Sequence, residues 1–361
     1  MMEGIMRKLK VDYIKQGMMV AKNIYDEEGQ ILLSSGMPLK QSYIEKLKDA
    51  GIDEIYIMSE EKENTILQDV ISEQARVEAK KLVRETMEKV SVGQALQTEK
   101  VLAMVNDLLE ELLSQKDILL NLSEIRTVDE YTFGHSVNVS VLSIITGISL
   151  GYSRENLKTL GVGALLHDIG KTLVPLAILN KPGALTAEEY GVIQHHAKLG
   201  YEVLRKYPQV GEEAALIALT HHERYDGMGY PQGLKCEEVH DYAKIVAIAD
   251  VYDAMTSDRV YKSKIKPHQA IEYLISMGNH QFDYEIVKNF TRYVASYPIG
   301  TMVVLSNGYR GIVSSIDKNF PHRPQIRCLL DPLGIKCSGK SILNLVKHPS
   351  ITIVDILENI E

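Results

Sequence analysis

The adjacent residues His167 and Asp168 lie in the apolar stretch Leu-Leu-His-Asp-Ile-Gly-Lys, which ends at Lys171. An imidazole and a carboxylate side by side can ligate two metal ions from one short segment. The chain supplies residues of the same types before and after this pair: His135, His195, His196, His221, His222 and Asp250. A fold that uses the pair as a metal site has to make these distant residues converge.

The ligand types indicate the metal and the chemistry. Neutral imidazoles and carboxylates without thiolates suit iron, manganese or zinc, and the two oxygens of Asp168 can bridge two ions. Two ions roughly 3.5–4 Å apart can hold a bridging hydroxide and clamp both the attacking and the leaving oxygen of a phosphoryl displacement. We therefore expect two divalent metal ions and hydrolysis of a phosphate ester.

Length, charge and cysteine content narrow the class of protein. A chain of 361 residues predicts two or three folding units. The net charge of -8, with acidic and basic residues interspersed, argues against a general DNA or RNA binder but leaves room for a small anionic ligand in a local basic pocket. Cys236, Cys328 and Cys337 are odd in number and lack zinc-finger spacing, which favours packing roles in a reducing compartment.

Neither secretion nor membrane insertion is indicated. No apolar core of signal-peptide length follows the basic residues of the N-terminus. Residues 131–153 carry no Asp, Glu, Lys or Arg, but polar residues such as His135 and Asn138 interrupt them, so we expect a buried helix rather than a membrane span. The predicted location is cytoplasmic.

The two ends of the chain read differently from its middle. Residues 1–60 predict a small α+β module, with a hairpin between the apolar runs 18–21 and 31–33, a helix over 42–50 and a strand at 55–57. Residues 297–361 predict a β-rich extension, since Asn307-Gly308 between apolar runs is a strong hairpin signal.

Helical patterns fill the rest. Residues 61–120 have apolar residues at helical spacing, which predicts a helical connector. The connector either joins the first module rigidly to the next domain or pairs with a second copy of itself. Packing alone explains the apolar spacing better than a dedicated signalling coil does. Residues 121–296 hold all the metal-type residues above in mostly helix-compatible sequence. There Ser153 is predicted to cap a helix, and Thr186-Ala-Glu-Glu189 fits a capping box.

Several motifs follow one another along residues 121–296. They are Gly134-His135-Ser136, His167-Asp168-Ile-Gly-Lys171, His196-Ala-Lys-Leu-Gly200, His221-His222-Glu-Arg-Tyr-Asp-Gly-Met-Gly229-Tyr230-Pro231 and Asp250-Val-Tyr-Asp253-Ala-Met-Thr-Ser-Asp-Arg259. One such motif is weak evidence, whereas the ordered set is specific. On these residues the segment resembles an HD-GYP domain, the cyclic di-GMP phosphodiesterase branch of the HD metal-dependent phosphohydrolases. The resemblance implies a mainly α fold, with an all-α HD-type helical core between the N-terminal α+β module and the C-terminal β-rich extension.

The resemblance also implies roles for individual residues. The ligands would be, for one ion, His135, His167, Asp168 and Asp250, and, for the other, Asp168, His196, His221 and His222. Lys171 would contact phosphate and neutralise charge in the transition state. Arg259 and Lys262 would grip the phosphates of the dinucleotide. The loop Gly229-Tyr230-Pro231 would shape the substrate side, and Asp253, three residues after Asp250, could orient a ligand or a water.

Departures from the family pattern refine this picture. Tyr131 stands where some members carry a glutamate that holds a third metal, so we expect two ions, with iron or manganese as the expected metals. Ala197 replaces a frequent proline and Tyr225 a frequent tryptophan, and neither change removes a ligand. His195 is expected to be a supporting or surface residue rather than a ligand.

The expected function is hydrolysis of cyclic di-GMP to pGpG by in-line attack of a metal-bridging hydroxide, with further hydrolysis to GMP left open. Asp168 and Lys171 would be the catalytic residues. Two alternatives stay open: hydrolysis of another cyclic dinucleotide, and a non-catalytic receptor for one. The expected partner is cyclic di-GMP, with no DNA, RNA or membrane, and a homodimer through the connector is a further hypothesis.

Overall fold

The computed structural model describes residues 6–25, 31–50, 52, 54–58, 70–114, 131–257, 265–317, 319–337 and 341–357. These residues form two compact units. The first combines the residues up to Val70 with those from Val294 onward, and the second holds those from Ile71 to Tyr293.

The N-terminal part of the first unit is a small α+β arrangement, as expected. Its elements are β1 (Met6–Lys10), β2 (Ile24–Tyr25), β3 (Ile31–Leu33), α1 (Gln41–Asp49) and β4 (Glu54–Met58). Strand β1 pairs antiparallel with β4, and β2 pairs antiparallel with β3. Apolar side chains from all these elements share one core, whose members include Val20, Ile24, Leu33, Ile44 and Ile55.

A hairpin forms where it was predicted, but its first strand is not the run 18–21. Ile31–Leu33 pairs with Ile24–Tyr25 instead, while Met19 and Val20 form single bridges to Pro38 and Ile57. The predicted turn, residues 26–29, lies outside the described residues. The local pattern identified apolar runs correctly but did not reveal which backbone partners bury them.

The C-terminal part of the first unit is a five-stranded antiparallel sheet. Its strands are β5 (Met302–Leu305), β6 (Arg310–Ser315), β7 (Gln325–Leu330), β8 (Ile342–Asn344) and β9 (Ile353–Leu357), in the order β8-β7-β6-β5-β9. The predicted Asn307-Gly308 turn joins β5 to β6. Val303, Leu305, Val313, Ile326 and Leu345 form the buried face, so the β-rich extension is confirmed.

The second unit is helical. Its helices in the described residues are α2 (Glu73–Ser91), α3 (Thr98–Ser114), α4 (Tyr131–Ser149), α5 (Arg154–Leu166), α6 (Leu176–Leu179), α7 (Ala187–Gln194), α8 (His196–Leu204), α9 (Glu212–Thr220), α10 (Asp241–Thr256), α11 (Pro267–Ser276) and α12 (Tyr284–Thr291). Short 3-10 turns span Ile169–Leu173 and Cys236–Glu238. The prediction of a mainly α fold is confirmed.

Local signals set several helix starts where they were predicted. The Ser153 side chain accepts a hydrogen bond from Asn156 N at the start of α5. Thr186 and Glu189 form the reciprocal capping box of α7. Both arrangements satisfy backbone N–H groups that have no partner inside the helix.

The helices of the predicted connector pack inside the second unit. Residues 92–97 separate α2 from α3. Helix α3 packs on α5, and α2 packs on α4 and on the turn Ile169–Leu173. Val101, Val105, Leu108 and Leu112 of α3 are buried by these contacts, while the homodimer stays a prediction.

Helix α4 is the element that raised the question of a membrane span. Its middle is buried within the unit, from Val137 to Ile145. Of the helices in the described part of the chain, none combines the length and the apolar character that crossing a membrane requires.

Candidate metal centre

Five segments of the helical unit bring the expected ligands together. His135 lies in α4, His167 and Asp168 follow the end of α5, and His196 begins α8. His221 and His222 follow the end of α9, and Asp250 lies in α10. All are buried except His222, which is partly exposed.

Asp168 lies at the middle of this cluster, with its two oxygens facing different histidines. Its Oδ1 is 3.4 Å from His196 Nε2 and 3.8 Å from His221 Nε2. Its Oδ2 is 3.4 Å from His167 Nε2 and 4.0 Å from His135 Nε2. One carboxylate therefore touches both halves of the cluster.

The two halves each have the composition of a metal site. One group is Asp168, His196, His221 and His222, and the other is His135, His167 and Asp250. Within each group the candidate ligand atoms lie within 4.8 Å of one another. Imidazole and carboxylate donors without thiolate suit iron, manganese or zinc.

Three of the histidine rings are held in the tautomer that a metal ion needs. The Nδ1 atom of His167 lies 2.7 Å from Ala164 O, that of His196 lies 2.7 Å from Ile193 O, and that of His221 lies 3.0 Å from Ala218 O. An Nδ1–H donated to a carbonyl leaves the Nε2 lone pair facing the cluster.

Several of these inward-facing atoms lack a protein partner. Among the described residues, the Nε2 atoms of His167, His196 and His221 and the Oδ1 atom of Asp168 are buried without a hydrogen bond. Buried polar atoms are costly unless something satisfies them. The donor set and these orphaned atoms together fit bound metal ions.

The electrostatics keep the carboxylates ionised. Burial opposes the charge of Asp168, but Lys171 and then His167 outweigh it and hold the pKa of this carboxyl well below its usual range. Burial likewise opposes the charge of Asp250, and the hydrogen bond from His135 lowers its pKa. Ionised carboxylates are the form that binds metal.

The histidines fall into two electrostatic classes. Burial lowers the pKa of His196 and His221, and it lowers the pKa of His222 to about 3. Burial also disfavours charge on His135, but hydrogen bonds to Asp250 and Asp253 raise its pKa to about 9. A metal ion at His135 would have to displace a proton from this imidazole.

Lys171 lies at the edge of the cluster. Its Nζ is 2.5 Å from Asp168 Oδ2, and its side chain is 29% exposed. The turn that carries it lies close against α8, since a Cβ on Gly170 would fall 2.0 Å from His196 O and 2.5 Å from Gly200 N. A glycine is therefore required between Asp168 and Lys171 for this approach.

The Gly229-Tyr230-Pro231 loop covers His222. The Tyr230 ring stacks on the His222 ring, with centroids 4.6 Å apart and planes inclined by 29°. A Cβ on Gly229 would fall 2.4 Å from Glu223 Cα and 2.5 Å from His222 O, so the loop lies directly on the backbone after the histidine pair.

Glu223 fixes the far side of this loop and was not predicted from the sequence. Its buried carboxylate accepts hydrogen bonds from Gln232 N at 2.8 Å and Leu234 N at 3.0 Å. Its position directly after the expected ligands His221 and His222, within the same motif, was the available signal.

The remaining expected residues have mixed outcomes. Asp253 Oδ2 lies 2.7 Å from His135 Nδ1, which is the kind of orienting contact expected of it. His195 is exposed, with Nδ1 2.7 Å from Gly191 O. Arg259 and Lys262 lie outside the described residues, and their roles stay predictions.

The fold and the site define a helical protein with a His-Asp pair between two buried groups of metal-type ligands. Residues 93–286 match the family described as HD domain, more than half of the chain, and the chain belongs to that family. HD domain phosphohydrolases are metal-dependent. Residues 302–361 match a family described as KOW domain associated with HD domain.

Curated relatives agree with this assignment. A cyclic di-GMP phosphodiesterase of Pseudomonas aeruginosa is 39% identical over 222 residues, which cover 62% of this chain and 53% of that protein. The cyclic di-GMP phosphodiesterase response regulator RpfG of Xanthomonas campestris pv. campestris is 38% identical over 192 residues, 51% of this chain and 49% of that protein. A 3'3'-cGAMP-specific phosphodiesterase of Vibrio cholerae is 40% identical over 127 residues, 34% of this chain and 24% of that protein.

The chain spans about half the length of the first two relatives. Both carry the activity that the HD-GYP resemblance implied, and that resemblance is confirmed.

Proposed function

We propose that the protein is a phosphodiesterase that hydrolyses cyclic di-GMP to pGpG, and onward to GMP, with two divalent ions of iron or manganese. The observation that carries the proposal is the position of Asp168, whose Oδ1 faces His196 and His221 while Oδ2 faces His135 and His167. A carboxylate with ligands on both sides suits a bridge between two ions.

One ion would be held by His135, His167, Asp168 and Asp250, and the other by Asp168, His196, His221 and His222. When bound, such a pair lowers the pKa of water and stabilises charge on phosphoryl oxygens. The proposed catalytic residues of the chain itself are Asp168 and Lys171.

Lys171 supplies a cation beside the reacting phosphate. Its ammonium group is partly exposed at the edge of the cluster, where it can reach a ligand from solvent. A fixed positive charge there favours the transition state because negative charge builds on the phosphoryl oxygens.

The Gly229-Tyr230-Pro231 loop forms the substrate side in this proposal. Burial, followed by Tyr190, raises the pKa of Tyr230, so its hydroxyl stays neutral at physiological pH. A neutral tyrosine beside His222 offers a hydroxyl and an aromatic ring without adding charge that would repel a phosphate.

A second candidate is hydrolysis of a mixed guanine-adenine cyclic dinucleotide. The observation that favours it is the similarity to the 3'3'-cGAMP-specific phosphodiesterase of Vibrio cholerae. Both substrates present the same phosphodiester to the cluster, so the bases decide between them.

The test begins with anaerobic purification of the full chain and measurement of iron, manganese and zinc per chain. Cyclic di-GMP and 3'3'-cGAMP are then followed separately by chromatography. We expect about two ions per chain and faster turnover of cyclic di-GMP than of 3'3'-cGAMP. In His196→Gln both the metal content and the turnover should fall.

His195→Gln is the matched control, because this neighbouring histidine is exposed and its Nδ1 contacts Gly191 O. It should keep both metal content and turnover. Binding of cyclic di-GMP without turnover by metal-loaded protein would instead support a non-catalytic receptor, and preference for 3'3'-cGAMP would support the second candidate.

A further inference from the structure

Buried polar side chains link helix α2 to the expected metal ligand His135. Arg76 Nη1 donates to Asn138 Oδ1 at 2.9 Å, and Asn138 Nδ2 donates to Asp253 Oδ1 at 2.7 Å. Asp253 Oδ2 in turn lies 2.7 Å from His135 Nδ1. Arg76 is only 2% exposed, so the guanidinium has been taken out of water to make these contacts.

The chemistry of the groups fixes the direction of each hydrogen bond. A guanidinium can only donate, so the side of Asn138 that faces Arg76 must be its oxygen. The amide nitrogen of Asn138 is then turned to the carboxylate of Asp253. This carboxylate receives one donor at Oδ1 and is left to accept from His135 at Oδ2, so Nε2 is the ring nitrogen that would give up its proton to a metal ion.

Arg76 and Asp253 hold the amide of Asn138 from opposite sides, since Arg76 donates to its oxygen and Asp253 accepts from its nitrogen. Replacing Arg76 by an apolar side chain removes the donor at this oxygen, so Asn138 would shift relative to Asp253. The Asp253 carboxylate would then shift, and the His135 ring that it holds would shift with it.

Helix α2 ends at Ser91, before the HD domain match begins at residue 93. It nevertheless packs on α4, which carries His135, and on the turn that carries Lys171. We infer that Arg76 is a positioning residue for the metal centre, supplied by a helix that precedes the matched HD domain. The inference rests on the metal site of the proposed function and not on the identity of the substrate.

The experiment compares Arg76→Met with Arg84→Met in the full chain. Arg84 lies on the same helix, and its guanidinium is 5.2 Å from the centroid of the Phe133 ring, outside the set of four side chains. The readout is anaerobic titration of the metal-stripped protein with Mn²⁺, together with circular dichroism of each variant.

Residues that orient a metal ligand affect metal affinity by about 10- to 100-fold. We expect Arg76→Met to weaken binding of at least one Mn²⁺ ion within this range, Arg76→Lys to weaken it less, and Arg84→Met to leave it unchanged. Equal affinity in Arg76→Met and Arg84→Met would overturn the inference.

A double-mutant comparison separates positioning from general destabilisation. If Arg76 acts through Asn138, then Arg76→Met should cost little further affinity in an Asn138→Ala background. Independent, additive losses would contradict the inference. Should Arg76→Met fail to fold, the same comparison with Arg76→Lys decides.

Failure of the proposed function would look different. A wild-type chain that binds two Mn²⁺ ions without cutting cyclic di-GMP would refute the proposed phosphodiesterase activity. The role of Arg76 would then still be decided by the Mn²⁺ titrations. A chain that binds no Mn²⁺ would overturn both.

Discussion

Replacing Gly229 by alanine tests how the substrate-side loop is held. The new Cβ would lie 2.4 Å from Glu223 Cα, 2.5 Å from Arg224 N and 2.5 Å from His222 O. Carbon atoms pack favourably at about 3.5–4.0 Å, so the loop has to move by about 1 Å. The obstructing atoms are backbone and cannot rotate away.

Overpacking of this kind costs about 1–3 kcal/mol, and rigid backbone neighbours favour the upper end. For a unit of this size each kcal/mol lowers the melting temperature by about 2–4 °C. We therefore expect Gly229→Ala to melt about 6–12 °C below the wild type. Its kcat/KM for cyclic di-GMP should also fall, because Tyr230 follows Gly229 directly.

Calorimetry and turnover of the full chain measure both effects, with Gly191→Ala as the control. Gly191 lies in α7, and a Cβ there would meet nothing within 4 Å. Alanine favours a helix over glycine by about 1 kcal/mol, so this variant should melt at or slightly above the wild type. Equal melting temperatures for the two variants would refute the argument from close approach.

Three further predictions concern single groups of the site. Glu223→Gln should lower the free energy of unfolding by about 1–3 kcal/mol in urea titrations. In the wild type the Glu223 carboxylate accepts from two backbone N–H groups, and in the variant the amide NH₂ would face one of them without accepting. An unchanged urea midpoint would contradict this. Lys171→Met should lower kcat by about 10²- to 10³-fold with metal content unchanged, and a kcat equal to that of the wild type would exclude the proposed role. In chelator-treated protein the free energy of unfolding should fall as the pH drops below 6.5, the ordinary pKa of histidine. Below this pH the unfolded chain takes up protons on His222, whereas burial holds the pKa of His222 in the folded protein at about 3. A free energy of unfolding that stays constant between pH 6.5 and 5 would count against this. The raised pKa of His135 acts in the opposite direction: its contribution to stability is complete below pH 6.5 and is lost as the pH rises toward about 9.

Features that depend on neighbouring residues could be predicted from the sequence. The capping box of Thr186 and Glu189 needs only residues three apart, and the Asn307-Gly308 turn needs only the strands beside it. The pairing of Ile31–Leu33 could not be predicted, because it depends on which backbone segment buries each run, and several runs of similar character compete.

The same distinction applies to the site. The expected ligands have recognisable chemistry and occur in ordered motifs. Arg76 has no such signal: its partner Asn138 lies 62 residues away, and Asn138 meets Asp253 across 115 residues. An arginine on an amphipathic helix predicts a solvent-facing residue, and only the packing of α2 on α4 reveals otherwise.

Three of the histidine rings are held by backbone carbonyl groups at the ends of helices. His167, His196 and His221 contact carbonyl oxygens in the last turns of α5, α7 and α9, at Ala164, Ile193 and Ala218. Each ring therefore moves with its helix rather than independently of it. A small rigid-body shift of any of these helices would change a metal–nitrogen distance. The absorption or magnetic spectrum of a bound ion would therefore report changes in the spacing of the three helix ends.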